Sequence, residues 1–316
     1  MMIKSLTALL ALSVLGGCMT VRIDETSVFE PIAFDAKLAE ESGERMLGEK
    51  SFGSADVWNG NWNYWSRTAK GLPEAIAPFT AASVQHGRFD STTGGLAWTT
   101  VARETGSDTL IVRCGGNATT RQRNGYRASV VSIPHGDVLL FDYPGYGETG
   151  GEATPERFQA MASELVPLVR EKAAGRRIVL WGHSLGGLVC SELAARLPET
   201  AGIIIETSAR NAREVAQAWT PWYASLFVNI EIAPGFGDID VASALKAFKG
   251  PVLVLGAEKD DTLPVQLSRS LAEALKSQGT DVTYVEFKEG GHSNLPVFAT
   301  FAPTIADFFT RLGKAS

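Results

Sequence analysis

The chain has 316 residues, of which 45% are apolar and 20% charged, with a formal net charge of −6. This is ordinary globular composition with ample material for a core. No run of Lys or Arg offers a face to nucleic acid, which argues against a nucleic-acid partner, and the mild acidity bears on solubility alone.

The first residues stand apart from the rest. Met1-Met2-Ile3-Lys4 is a short positive start. The apolar stretch Leu6 to Leu15, about ten residues, is too short to span a bilayer and suits a signal-peptide core. It ends in Leu15-Gly16-Gly17-Cys18, which resembles a bacterial lipobox. That resemblance implies removal of residues 1–17 and acylation of Cys18. Acyl chains would anchor the protein firmly, at about 0.8 kcal/mol per buried CH₂. Met19, not Asp, follows Cys18, and known lipoprotein sorting then implies the cell envelope outside the cytoplasm, the outer membrane before the inner. No later segment is apolar for long enough to cross a membrane. Export means an oxidising compartment. The two remaining cysteines, Cys114 and Cys190, both lie inside apolar segments and are expected as buried free thiols.

Residues 18–80 read as an N-terminal extension. It mixes a charged helical stretch, Ala36 to Lys50, with an aromatic-rich one in which Trp58, Trp62 and Trp65 fall at i, i+4 and i+7 on one helix face. Such a face packs on the body of the protein, or it walls a cleft or meets lipid headgroups. From about residue 84 the pattern becomes regular. Val84–Phe89 and Leu96–Ala102 predict two strands joined through Thr93-Gly94-Gly95. Thr109–Val112 is a short buried strand ending in Cys114-Gly115-Gly116-Asn117-Ala118, and Asp137–Phe141 is the next. A helix follows, with Thr154 as N-cap, Pro155 at its first position and an apolar face of Phe158, Met161, Leu165 and Leu168.

Arg177–Trp181 predicts a strand running into Gly182-His183-Ser184-Leu185-Gly186, then a helix from about Leu188 to Leu197. Ile203–Glu206, Val252–Leu255 and Val282–Phe287 are further strands, and Val297–Leu312 closes the chain as an amphipathic helix. Strands alternating with helices argue for a parallel sheet covered on both faces. The stretch 209–249 is too long for a simple crossover. With Trp219, Trp222, Tyr223, Phe227 and Phe236 it reads as a crossover helix plus a small cap.

The segments Gly115-Gly116-Asn117-Ala118 and Asp142-Tyr143-Pro144-Gly145-Tyr146-Gly147, with the G-x-S-x-G turn, resemble the α/β-hydrolases, in the branch of serine aminopeptidase-like and monoacylglycerol-lipase-like proteins. The similarity covers about residue 84 to the end, within a domain expected over residues 81–316. It implies an α/β-hydrolase fold with a mostly parallel eight-stranded sheet, helices on both faces and a small cap. The physics agrees: a Ser hydroxyl needs a base in hydrogen-bond reach, and a tight strand-to-helix turn flanked by glycines lifts Ser184 above the sheet edge.

In this fold the order is Ser, acid, His. Of the four histidines, His86 and His135 come too early, and His183 adjoins Ser184 on a turn whose neighbouring side chains point apart. His292, in the loop after the last strand, is left as the base. The family places its acid four residues before a Pro in the loop after Val252–Leu255, which selects Asp260. Asp261 is the nearest rival and Glu206 a distant third. Two backbone N–H groups must receive a developing oxyanion. One is that of Leu185; the family pattern makes the other that of Asn117. Gly115 departs from the His common in relatives, so the loop is more mobile or that side chain is dispensable. Asp142 orders neighbouring loops and is not a nucleophile.

No metal-ligand cluster and no phosphate-cradling loop stand in the sequence, so no cofactor is implied. The expectation is a serine hydrolase, foremost a carboxylic-ester hydrolase for small acyl or lipid-like esters, membrane-held through Cys18. A peptidase of the aminopeptidase-like kind and an inactive ligand-binding lipoprotein are the alternatives. Fold and triad alone do not name a substrate.

Overall fold

Residues at alternate positions of a strand face opposite sides of its sheet, so a strand apolar at every position must be covered on both. Five segments carry such an apolar run here: 110–112, 138–141, 178–181, 203–205 and 252–255. A computed structural model, which describes residues 19–24, 28–33, 81–92, 95–103, 105–221, 223, 228–236 and 239–314, places them at the centre of an eight-stranded sheet. The strands are β1 (Met19–Ile23), β2 (Ala81–Phe89), β3 (Leu96–Arg103), β4 (Thr109–Cys114), β5 (Asp137–Phe141), β6 (Arg177–His183), β7 (Thr200–Glu206), β8 (Val228–Ile232), β9 (Val252–Ala257) and β10 (Val282–Phe287). The large sheet has the order β10-β9-β7-β6-β4-β5-β3-β2. It is parallel from β10 to β5 and antiparallel only where β3 and β2 complete the edge.

The two faces carry separate cores. Ile111, Val179, Trp181, Ile204, Leu253 and Leu255 point to one side, against Phe301, Ile305 and Phe308 of the last helix. Their chain neighbours Leu110, Val112, Leu180, Ile203, Ile205 and Val254 point to the other. The helices are α1 (Arg121–Ser132), α2 (Pro155–Ala173), α3 (Leu185–Ala194), α4 (Ala212–Trp219), α5 (Val241–Ala244), α6 (Val265–Ser277) and α7 (Phe301–Lys314). α2, α3 and α6 cover the second face through residues such as Met161, Leu165, Leu193 and Leu271. Thr154 caps α2 as its sequence position demanded, accepting the N–H of Arg157 at 3.3 Å with Pro155 at the first turn.

Several elements went unread in the sequence, α1, α6, β1 and β8 among them. α1 begins RQRNGYR, and its Gly and runs of polar residues blur any apolar stripe. β1 and β8 pair in parallel register as a separate two-stranded sheet. Part of the expected N-terminal extension is therefore built into the body. Phe29 is 5% exposed, stacks on Phe158 with ring centroids 4.2 Å apart and meets Phe236 at 5.1 Å. The predicted helix at Ala36–Lys50, the Trp58, Trp62 and Trp65 face, and the cap residues Trp222 and Phe227 lie outside the described residues.

Candidate active site

The turn from β6 into α3 carries Ser184 at φ 54° and ψ −121°. A non-glycine residue at positive φ is strained by about 1–3 kcal/mol and persists only where its surroundings hold it. Here the hold is explicit. Ser184 N–H donates to the Glu206 carbonyl at 2.9 Å, and the Ser184 carbonyl accepts the Ser208 hydroxyl at 2.7 Å. The flanking glycines are steric necessities. A Cβ on Gly182 would lie 2.2 Å from the Gly186 carbonyl oxygen, and one on Gly186 would lie 2.1 Å from that of Cys114.

His292, in the loop after β10, meets Asp260, in the loop after β9. The His292 Nδ1 to Asp260 Oδ2 distance is 2.8 Å, and the Asp260 side chain is almost wholly buried. The other carboxylate oxygen accepts the N–H groups of Thr262 at 2.8 Å and Leu263 at 2.7 Å. Asp260 is thus oriented by its own loop and turned onto the imidazole. The rivals are placed elsewhere. Asp261 is exposed, and the buried Glu206 accepts the indole N–H of Trp181 at 3.1 Å. The His292 carbonyl accepts two further hydrogen bonds, from Nε2 of His183 and from the Thr207 hydroxyl, each at 2.9 Å.

The loop after β4 lies across from the turn. Its Gly115 carbonyl accepts the Tyr143 hydroxyl at 2.5 Å. Asn117 Oδ1 accepts the Tyr146 hydroxyl at 2.7 Å and the Glu30 N–H at 2.9 Å, while its Nδ2 donates to the Val28 carbonyl at 2.6 Å. Burial pushes both phenols above their ordinary pKa, so they stay protonated donors. This loop is tied down by the two tyrosines of the 142–147 segment and by residues 28–30. Sequence reasoning gave none of these residues a part in the site. Asp142 orders the same segment: it accepts the Arg121 N–H at 2.7 Å and pairs with the Arg121 guanidinium at 3.0 Å. Burial raises its carboxyl, against the pull of Arg121.

One expectation is overturned. Cys114 and Cys190 are not free thiols but a disulfide, with Cα atoms 5.9 Å apart. They sit 76 residues apart in sequence. Cys114 ends β4 and Cys190 faces it from α3, because the close approach at Gly186 brings that helix against the strand. The bond therefore links the strand that leads into the Gly115–Asn117 loop to the helix that starts beside Ser184.

Ser184, Leu185, Asn117 and His292 all line one cavity of about 840 Å³. Its other walls are largely apolar, with Phe29, Phe158, Leu188, Val215 and Phe236 among them. Leu185 is the first residue of α3, where a backbone N–H has no acceptor inside the helix. Among the described residues, no three His, Cys, Asp or Glu side chains cluster as a metal site would require.

Known proteins agree with this architecture. A family model described as the α/β hydrolase fold matches residues 123–239. Lysophosphatidylserine lipase ABHD12 of Danio rerio is 28% identical over 202 residues, 57% of this chain and 52% of the relative. The chain spans about half the length of the curated relatives it matches. Among solved structures, the Pyrococcus furiosus esterase Pf2001 superposes with a TM-score of 0.57 at 16% identity, covering 72% of this chain and 90% of the other. The acylaminoacyl peptidase of Pyrococcus horikoshii does so with a TM-score of 0.57 at 16% identity, covering 73% and 41%. An esterase and a peptidase share this scaffold, and at such identity the likeness speaks for fold alone. Sheet order, the sharp turn at Ser184 and these matches converge on one conclusion: the chain has the α/β-hydrolase fold.

Proposed function

We propose that this protein is a serine carboxylic-ester hydrolase for acyl or lipid-like esters, held on the bacterial cell envelope outside the cytoplasm through an acylated Cys18. The observation that carries the catalytic part is the 2.8 Å contact between Asp260 and His292, with His292 lining the same cavity as Ser184. In this reading His292 takes the Ser184 proton as the oxygen attacks the ester carbonyl. The oxyanion is received by the N–H groups of Leu185 and Asn117. His292 then protonates the departing alcohol, and water repeats the sequence on the acyl-enzyme. Asp260 stabilises the imidazolium without taking its proton.

The apolar walls favour an acyl chain over a charged peptide, and the similarity to a lysophosphatidylserine lipase supports a lipid-like ester. Protein lacking residues 1–17 should hydrolyse p-nitrophenyl esters across a chain-length series and label with a fluorophosphonate. An aminoacyl-arylamide belongs in the same screen. Turnover of that substrate alone would replace the esterase with a peptidase, and no turnover or labelling at all would leave a ligand-binding lipoprotein. Ser184→Ala should abolish labelling and lower turnover by at least about 10⁴-fold.

A further inference from the structure

Cys18 is one peptide bond from Met19, and Met19 opens β1. β1 is no passive spacer. It pairs along its whole length with β8, Met19 beside Val228 through Ile23 beside Ile232. Val21, Arg22 and Ile23 line the cavity that holds Ser184 and His292. Cys18 lies outside the described residues, but only three peptide bonds separate it in sequence from the cavity-lining Val21.

We propose that acylated Cys18 seats the mouth of the catalytic cavity directly on the bilayer, so that the enzyme draws its acyl ester from the membrane that tethers it. This rests on the lipoprotein and hydrolase readings above and goes beyond them, since a lipoprotein anchor can also end in a long flexible spacer that leaves its domain free of the surface.

A second observation points to the same face. Among the described residues, the large apolar side chains left exposed are Trp219, at 41%, and Tyr223, at 56%. Trp219 lines the cavity, and so does Pro221 between the two. Amphipathic aromatic rings favour the headgroup layer of a membrane. The Trp219 ring is also held in place, its N–H donating to the Thr262 carbonyl at 2.8 Å, two residues from Asp260. Anchor and aromatics carry the orientation.

The experiment compares the full-length chain with a variant carrying a flexible Gly/Ser insert between Cys18 and Met19. About 20 such residues give an r.m.s. reach of ~25 Å. Both proteins are reconstituted in phosphatidylcholine–phosphatidylglycerol vesicles. Each is assayed on p-nitrophenyl butyrate in solution and on 4-methylumbelliferyl palmitate dissolved in the bilayer, and Cys18 acylation is read by mass spectrometry. The expected result is acylation in both, equal turnover of the soluble ester, and a loss of at least about fivefold on the bilayer ester in the insert variant, as local concentration falls with linker length. Equal turnover of the bilayer ester by two acylated proteins overturns the seating and leaves the lipoprotein reading standing. An unmodified Cys18 overturns both. Failure of the full-length chain on the soluble ester overturns the hydrolase reading and the seating with it.

Discussion

The Nε2 of His183 lies 2.9 Å from the backbone carbonyl of His292, so the residue beside Ser184 holds the loop that carries His292. A carbonyl can only accept, so Nε2 carries the proton. The Thr207 hydroxyl supports the same carbonyl. The side chain at the variable position of G-x-S-x-G thus joins the two loops whose spacing sets the Ser184–His292 approach.

His183→Leu should lower kcat by about fivefold with KM little changed, the effect of losing one neutral hydrogen bond of about 1 kcal/mol. His183→Gln, which keeps a terminal N–H donor, should recover part of it. Steady-state kinetics on a soluble ester reads both. A KM increase with constant kcat would instead mean that His183 serves substrate binding.

Asp260→Asn should cost about 10⁴-fold in kcat, because an amide stabilises the imidazolium poorly and favours the wrong tautomer. Asp261→Asn should stay close to the parent, since that side chain is exposed and it is Asp260 that meets His292 at 2.8 Å. Equal losses in the two variants would remove Asp260 from its role.

Cys190→Ser should leave a folded but less stable protein. The disulfide closes a loop spanning 76 residues, worth about 4.5 kcal/mol on chain-entropy grounds. Urea unfolding of parent and variant, with and without reductant, measures the difference, and a reductant-insensitive parent would contradict the bond. Activity should fall as well, because the bond ties the strand before Asn117 to the helix that starts at Leu185.

Stability should decline on acidification below pH 6.5, in part through His135. Burial first, then the Arg103 charge, lowers its pKa to about 4, and its ring stacks on Phe309 at 4.6 Å. The unfolded chain binds a proton near pH 6.5, whereas the folded chain refuses it until about pH 4. Unfolding therefore gains in that window, and the stabilisation lost by pH 5 is about 2 kcal/mol. In His135→Phe, which keeps the stack, the fall in stability from pH 7 to pH 5 should shrink by that amount in urea titrations.

Much of the scaffold was readable along the chain. Strands with unbroken apolar runs, such as 110–112 and 252–255, announce burial on both faces of a parallel sheet. The glycines around Ser184 announce a turn too tight for side chains, and with four histidines in the chain, elimination left His292. Helix α1 was hidden, because its polar start carries no stripe. So was β1, five residues long with a partner more than 200 positions away.

The sequence by itself determined which local turns and strands can form, and with them Ser184, its fold class and a short list of acids, because steric and hydrophobic constraints act between near neighbours. Only the tertiary structure set Asp260, and neither Asp261 nor Glu206, against His292, joined Cys114 to Cys190, set His183 against the His292 carbonyl, and brought Val21 and Ile23 to the cavity wall. Each of these depends on distances across the fold, and long-range packing fixes such distances without leaving a local periodic signal.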